Sequence, residues 1–198
     1  MRRVVVLALL ALALPMAVWA DGINLTNQFG TISISDSGIT SKGSQLTSFN
    51  GIQAPKGHAL GSVSFSTGAL VSGSLQAGGV FSATGSSFVV IGKNKLVPKG
   101  TIFSGAFVGP IDWTLVTPGK QHEVFTLSGD LEGMLYTGRM VTGYTTQTID
   151  ILSQGQFKQG IGHIALGNTH LNTPEPGTLG LLGTGLLGIA SVFRRKKA

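Results

Sequence analysis

The sequence predicts an all-β domain, folded as an antiparallel β-sandwich or a closed barrel, with a signal peptide before it and a transmembrane helix after it. Two observations predict the strands. Apolar and polar residues alternate with a period of two in several central stretches, and no central stretch keeps a helical period of about 3.6 residues. In addition, 30 glycines are scattered with Ser and Thr through the 198 residues, which is typical of short strands joined by turns.

The first 20 residues have the three parts of a secretory signal peptide. Arg2 and Arg3 supply the positive start, residues 4–14 form an apolar run, and Val18-Trp19-Ala20 places modest or small residues before the expected cut. The run is too short to be a typical membrane anchor. We therefore predict cleavage between Ala20 and Asp21, so that residues 1–20 are the signal peptide and the secreted domain spans residues 21–172.

Four stretches of the secreted domain show strand alternation. In each, apolar residues of one parity are expected to face a core, while the polar residues between them face solvent. The predicted inward residues are Ile32 and Ile34; Val63 and Phe65; Phe103, Phe107, Ile111, Trp113 and Leu115; and Phe125, Leu127, Leu131 and Leu135. Such strands at spacings of about ten residues are typical of a sandwich or a barrel.

Glycine and proline mark the expected connections. Residues 40–60 and 92–100 are predicted to be loops, because Gly, Pro and Asn recur in both. Gly105 and Gly129 lie inside alternating stretches instead. Glycine at such a position favours a bulge or a point where two backbones approach closely.

The last 26 residues, 173–198, divide into three zones. Pro174, Glu175 and Pro176 end any preceding strand, because proline lacks a backbone donor and restricts its neighbour. The 16 uncharged residues 178–193 then form a predicted helix of roughly 24 Å, a little short of the hydrocarbon core of a bilayer. Its apolar side chains and opening threonine are Thr178, Leu179, Leu181, Leu182, Leu186, Leu187, Ile189, Val192 and Phe193. The basic stop after it consists of Arg194, Arg195, Lys196 and Lys197, which are expected to stay on the cytoplasmic side.

This order of motif, helix and basic cluster resembles the sorting tail of PEP-CTERM proteins. The matching residues are Pro174, Glu175 and Pro176, then the Gly- and Leu-rich residues 177–193, then residues 194–197. The resemblance implies export through the inner membrane of a Gram-negative bacterium, transient anchoring by the helix, and cleavage near the motif by an exosortase, a membrane cysteine protease. It also implies delivery to the cell surface, the outer envelope or the medium, in bacteria that often make extracellular polysaccharide. An ordinary single-span anchor with a proline-rich neck is the alternative.

Charge and cysteine content exclude several function classes for the secreted domain. Six of the 14 Lys and Arg residues and one of the eight acidic residues lie in the terminal segments, so residues 21–172 carry eight cations and seven acids. A nearly neutral domain lacks the basic footprint of a nucleic-acid-binding protein. The chain contains no cysteine, which excludes disulfides, thiolate metal sites and a cysteine nucleophile.

Candidate catalytic and metal-binding residues are few, and we predict a protein that is not an enzyme and has no cofactor or metal. No serine has the setting of a nucleophile elbow, and His122-Glu123 lacks the second histidine of a zinc motif. His163 and His170 are seven residues apart, which places them on opposite faces of a flat strand. Asp130 and Glu132 share one outward face at about 7 Å, a spacing compatible with glycoside hydrolysis but commoner among solubilising acids.

Three aromatic residues are candidates for a binding surface. Trp113 has the inward parity of its strand, so we expect it to be buried. Tyr136 and Tyr144 have the outward parity of theirs, and exposed rings stack on sugar faces. We predict a structural or adhesive protein of the envelope or extracellular matrix, and the resemblance to PEP-CTERM proteins implies its association with exopolysaccharide. A secreted carbohydrate-binding module, with Tyr136 and Tyr144 as glycan contacts, is the alternative, and a glycan-acting enzyme is a third class.

Overall fold

The computed structural model describes residues 22–119, 122–152 and 161–172, and its regular elements there are β-strands. The eleven strands found in these residues are β1 (Gly22–Ser35), β2 (Gly38–Phe49), β3 (Ile52–Gln53), β4 (Gly61–Ser66), β5 (Leu70–Ser74), β6 (Gly78–Phe81), β7 (Ser87–Gly92), β8 (Gly100–Thr117), β9 (His122–Leu135), β10 (Met140–Leu152) and β11 (Ile161–Asn172). The all-β prediction is confirmed.

Eight of these strands form a closed barrel, which decides between the two predicted architectures. Strands β1, β2, β4, β7, β8, β9, β10 and β11 pair in chain order, each antiparallel to the next. The barrel closes where β11 pairs with β1, with Gly22 opposite Asn172. Closure removes the free edges that an open sheet would present to other chains.

The remaining three strands are additions to the barrel wall. The long strand β8 pairs with β7 through its first residues, and its residues 111–114 pair with β6. The hairpin of β5 and β6 therefore extends the wall beside β8. The two-residue strand β3 folds back on the end of β2, with Phe49 opposite Ile52.

The core is built from the alternating residues that the sequence predicted. Every predicted inward residue is buried except Leu115, which is half-buried at the edge of the core. Aromatic rings fill much of the interior, and the Trp113 ring stacks on the Phe125 ring with centroids 4.4 Å apart. Offset or stacked pairs of this kind add about 1 kcal/mol to the free energy gained from area burial.

The two glycines inside strands lie at close approaches, as predicted. A Cβ atom at Gly105 would be 2.7 Å from the Phe103 ring and 2.8 Å from the Cα atom of Gly133 on the neighbouring strand. At Gly129 it would be 2.9 Å from the Phe107 ring. Side chains larger than hydrogen do not fit at either position without movement of a core ring or of the backbone.

The prediction of a loop over residues 40–60 was wrong in its first half, since residues 38–49 form β2. The inward positions of β2 include Ser41 and Ser44, opposite the buried Ile32 and Val63, so the polarity alternation that reveals a strand is weak there. A register shift between Ser41 and Ser44 further breaks the period. The second predicted loop is confirmed, because β7 ends at Gly92 and β8 begins at Gly100.

Among residues 22–119, 122–152 and 161–172, no helix is long and apolar enough to cross a membrane. The predicted cleavage site at Ala20 and Asp21, the motif at residues 174–176, the helix at 178–193 and the basic stop at 194–197 all lie outside the described residues.

Candidate functional site

An exposed strip of four large side chains runs along the outer wall of β9 and β10. We call Met134, Tyr136, Met140 and Tyr144 the tyrosine–methionine strip. Their exposed fractions are 50%, 54%, 48% and 48%, and Met134 is directly opposite Met140 across the two strands. Together they form an apolar and aromatic surface on a wall that is otherwise largely polar.

The strip points outward because its members share the parity of Asp130 and Glu132. Inward positions between them are taken by Leu131, Leu135 and Val141, which are buried. Successive side chains alternate between the two faces of a strand, so the outward position of Tyr144 follows from the burial of its neighbours. Tyr136 lies in the turn directly after β9 and is exposed beside the strip. The prediction that both rings are exposed agrees with the structure.

The two tyrosine rings are too far apart to bind one sugar between them. Tyr144 is opposite Asp130 in the middle of β9, whereas Tyr136 lies in the turn after Leu135. Five residues of β9, from Leu131 to Leu135, and one step into the turn separate these two levels, which corresponds to about 20 Å along the chain. Met134 and Met140 lie between the two rings. The strip therefore presents contacts to an extended ligand rather than a clamp for one sugar.

Polar side chains border Tyr144 on both sides. Strand pairing places His170 of β11 and Asp130 of β9 directly opposite it, and Asn24 lies beyond His170 on β1. The Nδ1 atom of His170 is 2.6 Å from the Oδ1 atom of Asn24. Hydrogen-bonding groups beside an exposed ring are the combination that sugar hydroxyls and sugar faces require.

Asp130 and Glu132 are both exposed on β9, as the sequence predicted. Asp130 lies between Tyr144 and Val108, and Glu132 lies between Thr142 and Ala106. The two carboxylates thus stand on the outer wall of the barrel beside the strip. In this setting they can accept hydrogen bonds from a ligand that lies along the strip.

A buried polar network inside the barrel was not predicted. The Nδ2 atom of Asn27 donates to the Oε1 atom of Gln147 at 2.9 Å and to the Oγ atom of Ser44 at 2.8 Å. Gln147 returns a bond through Nε2 to the Oδ1 atom of Asn27 at 3.3 Å, and donates to the Oγ1 atom of Thr145 at 2.8 Å. Thr145 continues the network to Thr169 at 2.8 Å.

This network uses each amide donor of Asn27 and Gln147, and both side chains are fully buried. A satisfied neutral network stabilises one arrangement of strands β1, β2, β10 and β11 and leaves no charge or free donor for chemistry. Its signal in the sequence is the polar character of Thr145, Gln147 and Thr169 at inward positions of two strands.

The four histidines lie on the outer surface, but the relation between two of them was predicted wrongly. His163 and His170 are on the same face of β11, because an extra residue at Ala165 shifts the register between Ile164 and Leu166. A bulge of this kind reverses the parity of everything after it. In the described ranges, no group of three His, Asp or Glu side chains is arranged to hold a metal ion.

Trp113 is buried, as predicted, and is not part of the outer surface. Its exposed fraction is 1%, and its Nε1 atom donates to the Leu75 carbonyl oxygen at 2.9 Å. The hydrogen bond ties the hairpin of β5 and β6 to the barrel, since Leu75 lies directly after β5.

Comparison with known proteins adds one finding. The family model for the PEP-CTERM protein-sorting motif matches residues 172–196. The match covers Pro174, Glu175 and Pro176 and all of the predicted helix. No curated protein and no solved structure matches the chain. The chain therefore carries a PEP-CTERM sorting motif directly after the barrel, a motif that indicates export, processing by an exosortase and sorting to the cell surface.

Proposed function

We propose that the barrel is a structural or adhesive protein of the cell envelope or extracellular matrix, that it is not an enzyme, and that it associates with exopolysaccharide. The observation that carries this proposal is the sorting motif at residues 172–196. A protein processed at this motif leaves the membrane and works where matrix polymers are found. The exposed tyrosine–methionine strip supplies a surface for such a polymer.

The route to that location has two cleavage steps in our proposal. The signal peptide is removed between Ala20 and Asp21 during export. The helix at residues 178–193 then holds the barrel at the membrane, with Arg194 to Lys197 retained on the cytoplasmic side. Cleavage by the exosortase near Pro174, Glu175 and Pro176 ends this anchored state and releases the barrel.

Contact with the polymer is expected along the strip. Tyr136 and Tyr144 offer ring faces about 20 Å apart, and this separation suits a chain of several sugars. Met134 and Met140 fill the surface between them with adaptable apolar contacts. Asp130 and Glu132 accept hydrogen bonds from sugar hydroxyls beside the rings. A dedicated carbohydrate-binding module is the second candidate function, and the same strip favours it.

Affinity electrophoresis through gels that contain exopolysaccharide from the producing cells tests this contact. We expect Tyr144→Ala and Tyr136→Ala to reduce retardation at least about fivefold each, because central aromatic contacts usually carry more than about 1 kcal/mol of binding energy. Phe29→Ala is the matched control, since it removes another exposed ring that lies outside the strip. Equal retardation of all four proteins would remove the strip from the proposal.

Turnover assays on the same polysaccharide test the non-enzymatic part of the proposal. A glycan-acting enzyme that used the exposed acids would release reducing ends and would lose that activity in Asp130→Asn or Glu132→Gln. We expect no release by the unchanged protein. Release that depends on either carboxylate would contradict the proposal and assign the barrel to the third class.

A further inference from the structure

One end of the barrel gathers three connections and both ends of the described chain. Because the barrel strands run in alternating directions, residues 50–60, 93–99 and 136–139 lie at the same end. Gly22 and Asn172 are opposite each other at this end as well. We call the three connecting segments, residues 50–60, 93–99 and 136–139, the basic end.

Hydrogen bonds show that these segments adjoin one another around the rim. The amides of Lys93 and Asn94 donate to the Leu60 carbonyl oxygen at 2.8 and 3.0 Å, which joins the first two segments. The amide of Tyr136 donates to the Ile102 carbonyl oxygen at 2.8 Å, close to the start of β8. The amide of Asn50 donates to the Asn24 carbonyl oxygen at 2.8 Å, beside the start of β1. The basic end is therefore one continuous surface.

The three segments of the basic end carry only positive charge. Its three segments contain five of the eight cations of residues 21–172 and no acidic residue. The five are Lys56, Lys93, Lys95, Lys99 and Arg139, and all are exposed. None of the five forms an ion pair with another described residue; the one contact between a histidine and a carboxylate in those ranges joins the Nδ1 atom of His122 to Asp150, at the opposite end of the barrel. The near-neutral domain thus concentrates its cations on one end.

Two exposed apolar side chains stand among these cations. Leu96 lies between Lys95 and Lys99 and has an exposed fraction of 50%. Ile52, at the tip of the β2–β3 hairpin, has an exposed fraction of 39%. Cations around protruding apolar side chains are the combination that binds the interface of an anionic bilayer. An acidic polysaccharide would be attracted by the charge but gains little from Leu96 or Ile52.

We propose that the basic end docks on anionic phospholipid headgroups while the chain is anchored. Asn172, at this end, is followed by only five residues before the predicted helix begins at Thr178. Fully extended, that distance is about 20 Å, so the cations stay near the membrane surface, and docking brings them within the Debye length of about 8 Å. The docked state holds the residues around Pro174 at the membrane surface, where a membrane protease cuts. This inference depends on the predicted helix and not on binding of polysaccharide.

The full-length chain in lipid vesicles allows a direct test, because it has no cysteine and accepts a single fluorophore through Gln53→Cys at the basic end. A second label, through Ser37→Cys in the turn between β1 and β2, reports the opposite end. Vesicles contain a nitroxide-headgroup lipid as quencher, with phosphatidylcholine alone or mixed with phosphatidylglycerol. We expect strong quenching of the first label in the mixed vesicles alone, and weak quenching of the second in both.

Removal of charge should reverse the docking. Each lysine near an anionic surface is expected to favour the docked state about fivefold, so Lys93→Gln, Lys95→Gln and Lys99→Gln together lower the docked-to-free ratio on the order of 100-fold. The control changes Lys42→Gln, Lys120→Gln and Lys158→Gln, which removes the same charge from elsewhere in the domain and should leave quenching unchanged. Tyr136 stays unchanged in every variant, so a negative result for membrane docking would not count against polysaccharide binding by the tyrosine–methionine strip.

Three results would overturn the proposal. The first is quenching that does not depend on phosphatidylglycerol or on salt. The second is equal loss of quenching in both triple variants, which would indicate a general charge effect. The third is quenching near background with lipid, together with a rise in fluorescence anisotropy when soluble polyuronate is added, which would reassign the basic end to an acidic polysaccharide.

Discussion

Asn27 and Gln147 exchange hydrogen bonds in the interior of the barrel, where neither side chain is accessible to water. Such a pair matters for stability mainly because its loss would leave buried amide groups unpaired. Each unpaired amide group in a low-dielectric interior costs about 1–3 kcal/mol. Because the partners come from β1 and β10, the pair also fixes strands that are far apart in the sequence.

We expect Asn27→Ala to lower the free energy of unfolding by about 2–4 kcal/mol, because it removes the bond that Ser44 accepts and both bonds between Asn27 and Gln147, and opens a cavity. Urea unfolding of the full chain in detergent measures this. Asn168→Ala, an exposed amide on β11, is the control and should change the free energy by about 0.5 kcal/mol or less. Asn27→Ala combined with Gln147→Ala should cost less than the sum of the two, and strict additivity would contradict the pairing.

At the scale of elements, strands β8 and β9 approach each other at a pair of glycines. Gly105 is directly opposite Gly133, and the Phe103 ring covers both. A Cβ atom at Gly133 would lie 2.5 Å from the Cα atom of Gly105 and from the Ser104 carbonyl oxygen. The atoms that this Cβ atom would meet belong to the backbone, so an added side chain would fit only if β8 and β9 moved apart.

Gly133→Ala is therefore expected to destabilise the barrel by about 2–4 kcal/mol, although alanine is normally the better residue in a strand interior. Gly109→Ala is the matched control, because a Cβ atom there has open space and meets only the penalty of a positive φ of 75°. That penalty is about 1–2 kcal/mol. Thermal unfolding of both variants shows which of them loses more stability. A smaller loss of stability for Gly133→Ala than for Gly109→Ala would show that the two strands are not so close.

The elements differ in how much of them could be predicted from sequence. The stretch with Trp113 and Ile111 alternates strongly, so both its strand and the burial of Trp113 were predictable. β2 was missed because serines occupy its inward positions, and side-chain polarity then carries no period. The shared face of His163 and His170 was missed because nothing in the sequence marks the extra residue at Ala165.

The candidate site was predictable only in part. The outward parity of Tyr136 and Tyr144 follows from their strands. Their separation does not, because it depends on which strand pairs with which and in what register. The methionines between them and the neighbouring His170 come from the same pairing. The sorting motif could be predicted without any knowledge of strand pairing, because its three zones are consecutive in the chain.

At the scale of the whole molecule, barrel closure and sorting are connected by one feature. The first strand pairs with the last, so both ends of the described chain leave the barrel together at the basic end. The described core is formed by side chains of the barrel between Ile23 and Leu171. We therefore expect removal of the predicted signal peptide and of the sorting tail to leave the barrel folded, as the proposed release requires.

We propose that this chain is exported, cut near its sorting motif and released. The decisive test is mass spectrometry of the protein recovered from cytosol, membrane and extracellular fractions of the producing cells. We predict an extracellular form that begins at Asp21 and ends close to Pro174, and a membrane-bound form that keeps Arg194 to Lys197 when Pro174, Glu175 and Pro176 are changed to Ala. Recovery of the uncut chain from the cytosol, with both termini intact, would contradict the account.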